Sequence, residues 1–519
     1  MQDSDDFYLD NGDPHSPDEL AQLAQSIEYA IEREEYFTAA AIVEKHLAAT
    51  WFAFHPARTA EILEVLAHEV GDATPLVTAA YKVLSANNAG HTNTQALRDT
   101  IDHDDPQQMF VLSMFRMNDY RVHGMIHRAL EQADTIESYL AQMRPSLTPG
   151  GGWLMQAPVQ IGITAMLAGD FPRALNTLAQ AQLRPANAKF VFLERESLVK
   201  AALIHAAFGN ATTASGLLTR AAQVPRTSSW VEKHIDVQAE FASILSSQAD
   251  PEEVIDQLEV ISLHDIGEMW PFYVIALHRL LEAAGHHDEL EHRLEMLDAL
   301  PLPKIDGEGF SGSVIPLKRA LTALSVGRGA EAVEFLQRAD HSLTYTKLVR
   351  AATDLYVGRL HHAVDLAHAL QRHTRGFRLL ELRRLSILAA AHFMLDHTKE
   401  AIATLRMAAH MPRGLSPQER LLFGLEIHEF AERHVEAWPK IPAAHAIFLA
   451  ELPRRGHSLT EREIEILEQL AQGLSRSQIA DRLFISLSTV KTQLQSIYRK
   501  LEVSSAADAI FEGERRGII

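Results

Sequence analysis

The chain has no cysteine among its 519 residues. That absence excludes disulfides, thiol nucleophiles, thiolate zinc sites and cysteine-held iron–sulfur clusters, and it leaves little room for redox function. Long apolar runs are missing too: no window approaches the roughly 18 uninterrupted apolar residues that a membrane span requires. The first residues are acidic (Asp3, Asp5, Asp6, Asp10, Asp13) and lack the basic-then-apolar order of a secretory leader, so a cytoplasmic protein with no membrane partner is expected. No GxxxxGK[ST] occurs, so the loop and lysine that cradle nucleotide phosphates are absent and no cofactor is inferred. Cations are outnumbered, 48 Lys and Arg against 68 Asp and Glu, for a formal net charge of −20. Taken whole, such a field repels a polyanion.

The distribution of that charge changes its meaning. From His457 to Ile519 there are eight Lys and Arg against nine Asp and Glu, net −1, so the remaining −19 lies in the first 456 residues. With 47% hydrophobic and 22% charged residues, the chain has a globular composition, and its length suggests two to four structural units. Residues 1–17 carry Gly12, Pro14 and Pro17 among acids and read as a poorly ordered tail. From 18 to 438 nearly every segment has helical periodicity, with no sustained alternation of the strand type. The chain is therefore expected to be all-α.

Within that region an apolar helix repeatedly ends at a Gly or a polar residue and an Ala-rich helix follows. Gln160 to Gln182 (QIGITAMLAGDFPRALNTLAQAQ), Ala201 to Gln223 and Leu348 to Ala369 show the pattern. The turns fall near Gly169, Gly209, Ala249, Gly285, Gly327, Gly358 and Asp396, in steps of 40, 40, 36, 42, 31 and 38 residues. Earlier turns are placed at Glu35, Gly71 and Asn118. One hairpin cannot bury its own apolar face, so neighbours must stack into a helical-repeat solenoid. The unit resembles tetratricopeptide repeats, with Gly169, Ala174 and Ala179 on the pattern. Pro439, Pro442 and the run Pro453 to Gly456 make 439–456 a linker before a unit at 457–519.

That last unit decodes into four helices. Thr460 with Glu463 forms a capping box, opening a helix that stops at Gly473. Ser475 with Gln478 opens a second, and Phe484, Ile485 and Ser486 form a tight turn. Ser486 caps a third helix from Leu487 to about Leu501, and a fourth runs from near Ser505 to about Gly517. On the third, Val490, Leu494, Ile497 and Leu501 share one stripe while Ser488, Thr492, Gln495 and Arg499 point the other way, with Lys491 beside them. Between Ser486 and Lys500 stand three basic residues and no acid. A short helix, a turn and a second helix with an exposed polar, positive face is the geometry that enters a major groove of double-stranded DNA. Lys491, Thr492 and Gln495 are candidates for base readout, since Gln pairs bidentately with adenine and Lys donates to guanine. Ser488, Thr489, Arg499, Lys500 and Arg476 are candidates for phosphate contacts.

The residues Leu459-Thr460-Glu461-Arg462-Glu463, Gly473-Leu474-Ser475, Ile479-Ala480, Ile485-Ser486, Thr489-Val490-Lys491 and Lys500-Leu501-Glu502-Val503 resemble the LuxR-type (GerE-like) helix-turn-helix domain in order and spacing. The resemblance covers about an eighth of the chain. Gln493 and Ala506 stand where that family usually has a His and a basic residue, a departure that bears on backbone affinity and operator preference. The resemblance implies a homodimer on DNA, formed through the fourth helix with Ala509, Ile510 and Phe511. Helical repeats followed by such a domain are similar to the MalT-like large regulators, without their nucleotide-binding module.

Other features have plainer readings. Gly307, Gly309 and Gly312 spell GxGxxG but follow no strand, so they read as an inter-helix loop. The run Pro149 to Gly152 reads as a linker. The histidine pairs His286/His287 and His361/His362 read as solvated turn residues, and Trp51, Trp153, Trp230, Trp270 and Trp438 as buried anchors between helices. The whole is expected to be a non-enzymatic bacterial-type transcriptional regulator. Its helical-repeat region would sense a ligand or a protein or peptide partner and control dimerisation or exposure of the terminal module. The competing expectation is an interaction scaffold whose terminal module does not bind DNA.

Overall fold

The structure, a computed structural model, describes residues 18–88, 106–142, 152–183, 188–247, 249–420, 422–439, 452 and 458–519. The acidic tail 1–17, most of the linker 439–456 and residues 149–151 lie outside them. Every regular element among the described residues is a helix, as the periodicity requires. Buried apolar residues form two separate clusters, one running from Leu20 to Trp438 and the other from Leu459 to Ile518.

The larger body is made of helix pairs that pack on each other and on the next pair. Gly152–Ala168 packs on Phe171–Gln182, Val191–Phe208 on Ala211–Ala221, Thr344–Tyr356 on Leu360–Ala369, and Arg378–Met394 on Thr398–Ala409. First helices also meet across pairs: Val191–Phe208 touches Val231–Leu245, and Thr344–Tyr356 touches both Val314–Ser325 and Arg378–Met394. Gly169, Gly285, Gly327 and Gly358 all have φ between 76° and 92°, the left-handed conformation that ends a helix without a Cβ clash. Asp396 does the same work at φ 58°.

One expected turn is displaced, and two stand where expected without a left-handed glycine. Asn118 lies inside the helix Pro106–Val122, and the chain reverses at Gly124 (φ 74°) instead. Gly71 is right-handed and opens a short 3-10 turn. At Gly209 (φ −104°) the following helix starts through the Asn210 side chain, which accepts from the Thr212 N–H. Gly71 and Gly209 thus end their helices where expected, by a 3-10 turn and a polar cap on the next helix, and only the corner expected at Asn118 is displaced, to a left-handed glycine six residues on.

The interior side of the repeats is filled. Phe171 stacks near Phe208 (4.5 Å between centroids) and meets Phe377 at 6.2 Å, while Phe310 lies 5.5 Å from Phe272 and 5.7 Å from Phe208. Rings more than 200 residues apart in sequence thus share one cluster, and the helix Val191–Phe208 is buried almost all round. The GxGxxG segment belongs to this packing: the Gly309 N–H donates to Asp340 Oδ2 at 3.1 Å, and a Cβ on Gly312 would sit 1.9 Å from the Ile305 carbonyl oxygen. It is a tightly folded loop between helices.

Trp270 and Trp438 are buried anchors, the latter donating through Nε1 to His428 Nδ1 at 3.1 Å. Trp230 is half-buried and donates to the Trp51 carbonyl, whereas Trp51 lines a cavity, contrary to the anchor reading. The Trp153 side chain lies outside what is described. His361 and His362 are exposed as expected, His362 meeting Asp354 at 2.6 Å, whereas His286 and His287 are half-buried, His286 meeting Glu252 at 3.1 Å. No helix among the described residues is long and apolar enough to cross a membrane.

Candidate nucleic-acid interface

The terminal module consists of helices Glu461–Ala471, Arg476–Arg482, Leu487–Leu501 and Ala506–Arg515. Both capping boxes form reciprocally, Thr460 with Glu463 and Ser475 with Gln478. Ser486 accepts from the Thr489 N–H and Ser505 from the Asp508 N–H. These caps satisfy backbone donors that a helix start leaves open, so four short helices can begin abruptly. Gly473 (φ 81°) ends the first, and Phe484 (φ 53°) makes the turn between the second and third. The Arg462 guanidinium donates to the Leu483 carbonyl at 2.7 Å and so ties the first helix to that turn.

Val490, Leu494, Ile497 and Leu501 are buried against Ile466, Leu467, Ile479, Ala480 and Ala509. This packing fixes the rotation of the third helix, and the opposite side follows: Ser488, Thr489, Lys491, Thr492, Gln495 and Arg499 are all exposed, as is Arg476 on the second helix. The side chains of Lys491, Gln495, Arg499 and Arg476 engage no group among the described residues. Three hydroxyls are partly committed to the helix itself. Ser488 Oγ and Thr489 Oγ1 lie 2.7 and 2.8 Å from Ser486 Oγ, and Thr492 donates to the Ser488 carbonyl at 3.1 Å. Each keeps hydrogen-bonding capacity for a phosphate oxygen or a base edge.

Lys500 does not belong with them. Its ammonium donates to Glu463 Oε2 at 2.7 Å, with the two side chains only 14% and 3% exposed. Burial raises the Glu463 carboxyl, but Lys500, the Ser496 hydroxyl and the Thr460 N–H outweigh it and hold it below the usual carboxylate range. Lys500 is thus a structural partner inside the module, not a free cation for a phosphate. Glu463 is the residue that sequence reasoning placed only as a cap. It joins the start of the first helix to the end of the third, a contact between positions 37 apart that no local pattern signals.

The module also touches the helical body by its far end. Arg359 donates to the Gly517 and Ile518 carbonyls at 2.8–3.1 Å, and Gly329 approaches so closely that a Cβ there would lie 2.3 Å from the Arg516 carbonyl oxygen. The exposed face of the third helix stays clear of this contact. On the fourth helix Ala509 is buried in the module core and unavailable to a second copy, while Phe511 is 67% exposed. The expectation that Ala509 contributes to a dimer is thereby corrected: its small side chain fills the core beneath the third helix.

Residues 457–512 match the family model for bacterial regulatory proteins of the luxR family, and the terminal module is a LuxR-family helix-turn-helix domain. A nitrate/nitrite response regulator protein homolog of Haemophilus influenzae is 49% identical over 61 residues, 11% of this chain and 29% of that protein. The Escherichia coli nitrate/nitrite response regulator protein NarP is 51% identical over 59 residues, 11% and 27% of the two lengths. The Bacillus subtilis transcriptional regulatory protein LnrK is 28% identical over 130 residues, 25% and 54% of the two lengths. The chain therefore spans about half or less of each of these curated relatives. The all-helical region preceding the module is consistent with the architecture of MalT-like large regulators.

Proposed function

We propose that this protein is a transcriptional regulator that binds double-stranded DNA through its last four helices, with Leu487–Leu501 lying in the major groove. Lys491, Thr492 and Gln495 would read base edges, and Arg476, Ser488, Thr489 and Arg499 would hold phosphates. The observation that carries the reading is the exposed and unpaired Lys491–Gln495–Arg499 face, opposite a stripe buried in the module core. The helical body would act as the sensing part and, by its excess of acids, would keep DNA off every surface but this one. A homodimer would place two such faces on paired half-sites, with exposed Phe511 and its neighbour Ile510 on the fourth helix as the contact.

The test is selection of duplexes from a random pool by the full chain, followed by binding of the recovered sequence to Lys491→Ala and Gln495→Ala variants. Each substitution is expected to weaken specific binding by about 1–3 kcal/mol and to relax preference at the base it reads. Unchanged affinity and unchanged preference in both variants would overturn the assignment and leave an interaction scaffold as the better reading.

A further inference from the structure

Near the start of the helical body lies a cavity of about 240 Å³. Helices Leu47–Ala53, Pro56–Val70, Pro75–Asn88, Pro106–Val122 and Gly152–Ala168 all contribute to its wall. The wall is mostly apolar, formed by residues such as Leu47, Trp51, Leu63, Met114 and Phe115. An engineered apolar cavity of roughly 150 Å³ accepts benzene, so this one has room for an aromatic ring and a short chain.

Asn118, Asp119 and Gln156 are polar residues of the wall, beside Thr50 and Thr59. Asn118 Oδ1, Asp119 Oδ1 and Gln156 Oε1 belong to lining residues, are buried, and have no hydrogen-bond partner. Asp119 is 5% and Gln156 6% exposed. Among the described residues the basic side chain beside Asp119 is His123, whose Nδ1 lies 3.4 Å from Asp119 Oδ1 but nearer the Asp119 backbone carbonyl, at 2.8 Å. Burial pushes the Asp119 carboxyl up, with His123 pulling it back. Buried acceptors without donors are costly, and native proteins satisfy nearly all of them. All three are acceptors and one is a carboxylate. The missing complement is a group with several donors and a positive charge, and an ammonium offers three N–H bonds.

We propose that this cavity binds a small primary amine with an apolar, ring-sized body, its ammonium held by Asp119 with Asn118 and Gln156 and its body among Trp51, Leu63 and Met114. The regulatory meaning of such binding rests on the helical body being the sensing part; the binding itself does not, and it is measured without DNA.

Calorimetric titration of the full chain with 2-phenylethylamine, 2-phenylethanol and phenylacetate separates the possibilities. The amine is expected to bind at least ~10-fold more tightly than the alcohol, and the carboxylate not at all, because only the amine offers a charged donor to a buried acid. Asp119→Asn should remove the amine's advantage while the alcohol binds as before. Ala80→Leu, which fills the cavity from a lining position and leaves Asp119 in place, should abolish binding of both, with circular dichroism verifying that each variant is folded. Equal binding of amine and alcohol, preference for the carboxylate, no heat with any of the three at millimolar concentration, or an amine advantage that survives in folded Asp119→Asn would each overturn the proposal. A DNA-binding failure in the duplex selection leaves these outcomes untouched, so the two readings fall separately.

Discussion

Replacing Lys500 with Ala tests whether this residue supports the fold or touches DNA. The ammonium sits 2.7 Å from Glu463 Oε2 in a pair that is almost wholly enclosed. Removing one member of a buried pair costs on the order of 3–5 kcal/mol, because the other charge is left without compensation. Glu463 keeps hydrogen bonds from the Thr460 N–H at 2.7 Å and hydroxyl at 3.1 Å, which reduces the expected loss to about 2–4 kcal/mol. At 1.36 kcal/mol per factor of ten, that is roughly a 30- to 1000-fold faster opening of the module. Tryptophan fluorescence cannot follow it, since all five Trp precede residue 439. Amide hydrogen exchange at Val490, Leu494 and Ile497 can, because these lie on the buried stripe. Glu463 is held below the usual carboxylate range, so its contribution is present above the unfolded-state pKa and fades as the pH falls through the folded one. The difference between variant and parent should narrow accordingly in acid. Arg499→Ala is the control: exposed on the opposite face, it should leave exchange unchanged and lower the salt dependence of DNA binding by about one unit of slope. If Lys500→Ala leaves exchange as in the parent and instead reduces that slope, the ion-pair argument is wrong and Lys500 is a phosphate contact.

Two further expectations concern the helical body. Arg359→Ala removes three hydrogen bonds to the Gly517 and Ile518 carbonyls, a loss of about 1–2 kcal/mol for a partly exposed charged donor. It should accelerate exchange at 516–519 while leaving the Val490 stripe protected, and identical exchange at 516–519 would refute the docking role. Asp298 takes hydrogen bonds from Lys304, Arg319 and Arg338 at 2.9–3.1 Å. Burial raises its carboxyl, but Arg338 and Lys304 pull it down to about 2. A depressed carboxylate stabilises above its unfolded pKa and stops doing so as pH falls through the folded one, so about 2 kcal/mol should vanish between pH 4 and pH 2. Urea unfolding of Asp298→Asn should show that step missing, with parent and variant converging at pH 2; a constant gap across this range would contradict it.

Much of the terminal module was legible from residues close in sequence. Its signals are local: a cap is set by residues three apart, and a helix face by a period of 3.6. Thr460/Glu463, Ser475/Gln478 and Ser486 therefore placed three helix starts, and the Val490–Leu501 stripe placed the exposed face. The all-helical character of the body followed from periodicity in the same way. Its corners were legible at Gly71 and Gly209 as elsewhere, but the helix expected to stop at Asn118 runs on to Val122 and turns at Gly124.

What the tertiary structure alone decided are the contacts between residues far apart. Lys500 has the composition of a phosphate ligand and became an internal partner, because packing of the third helix on the first brings it to Glu463. Ala509 looked available on an amphipathic fourth helix, yet that helix lies against the other three and buries it. Trp51 and Asp119 carry no motif; they share a cavity because five helices from 47 to 168 leave a gap among them. Sequence determines which side chains a helix can offer to one side, through covalent spacing and local hydrogen bonds. Which of those sides meets a partner, a cavity or water depends on how the helices stack, and that depends on the shapes of every apolar surface at once.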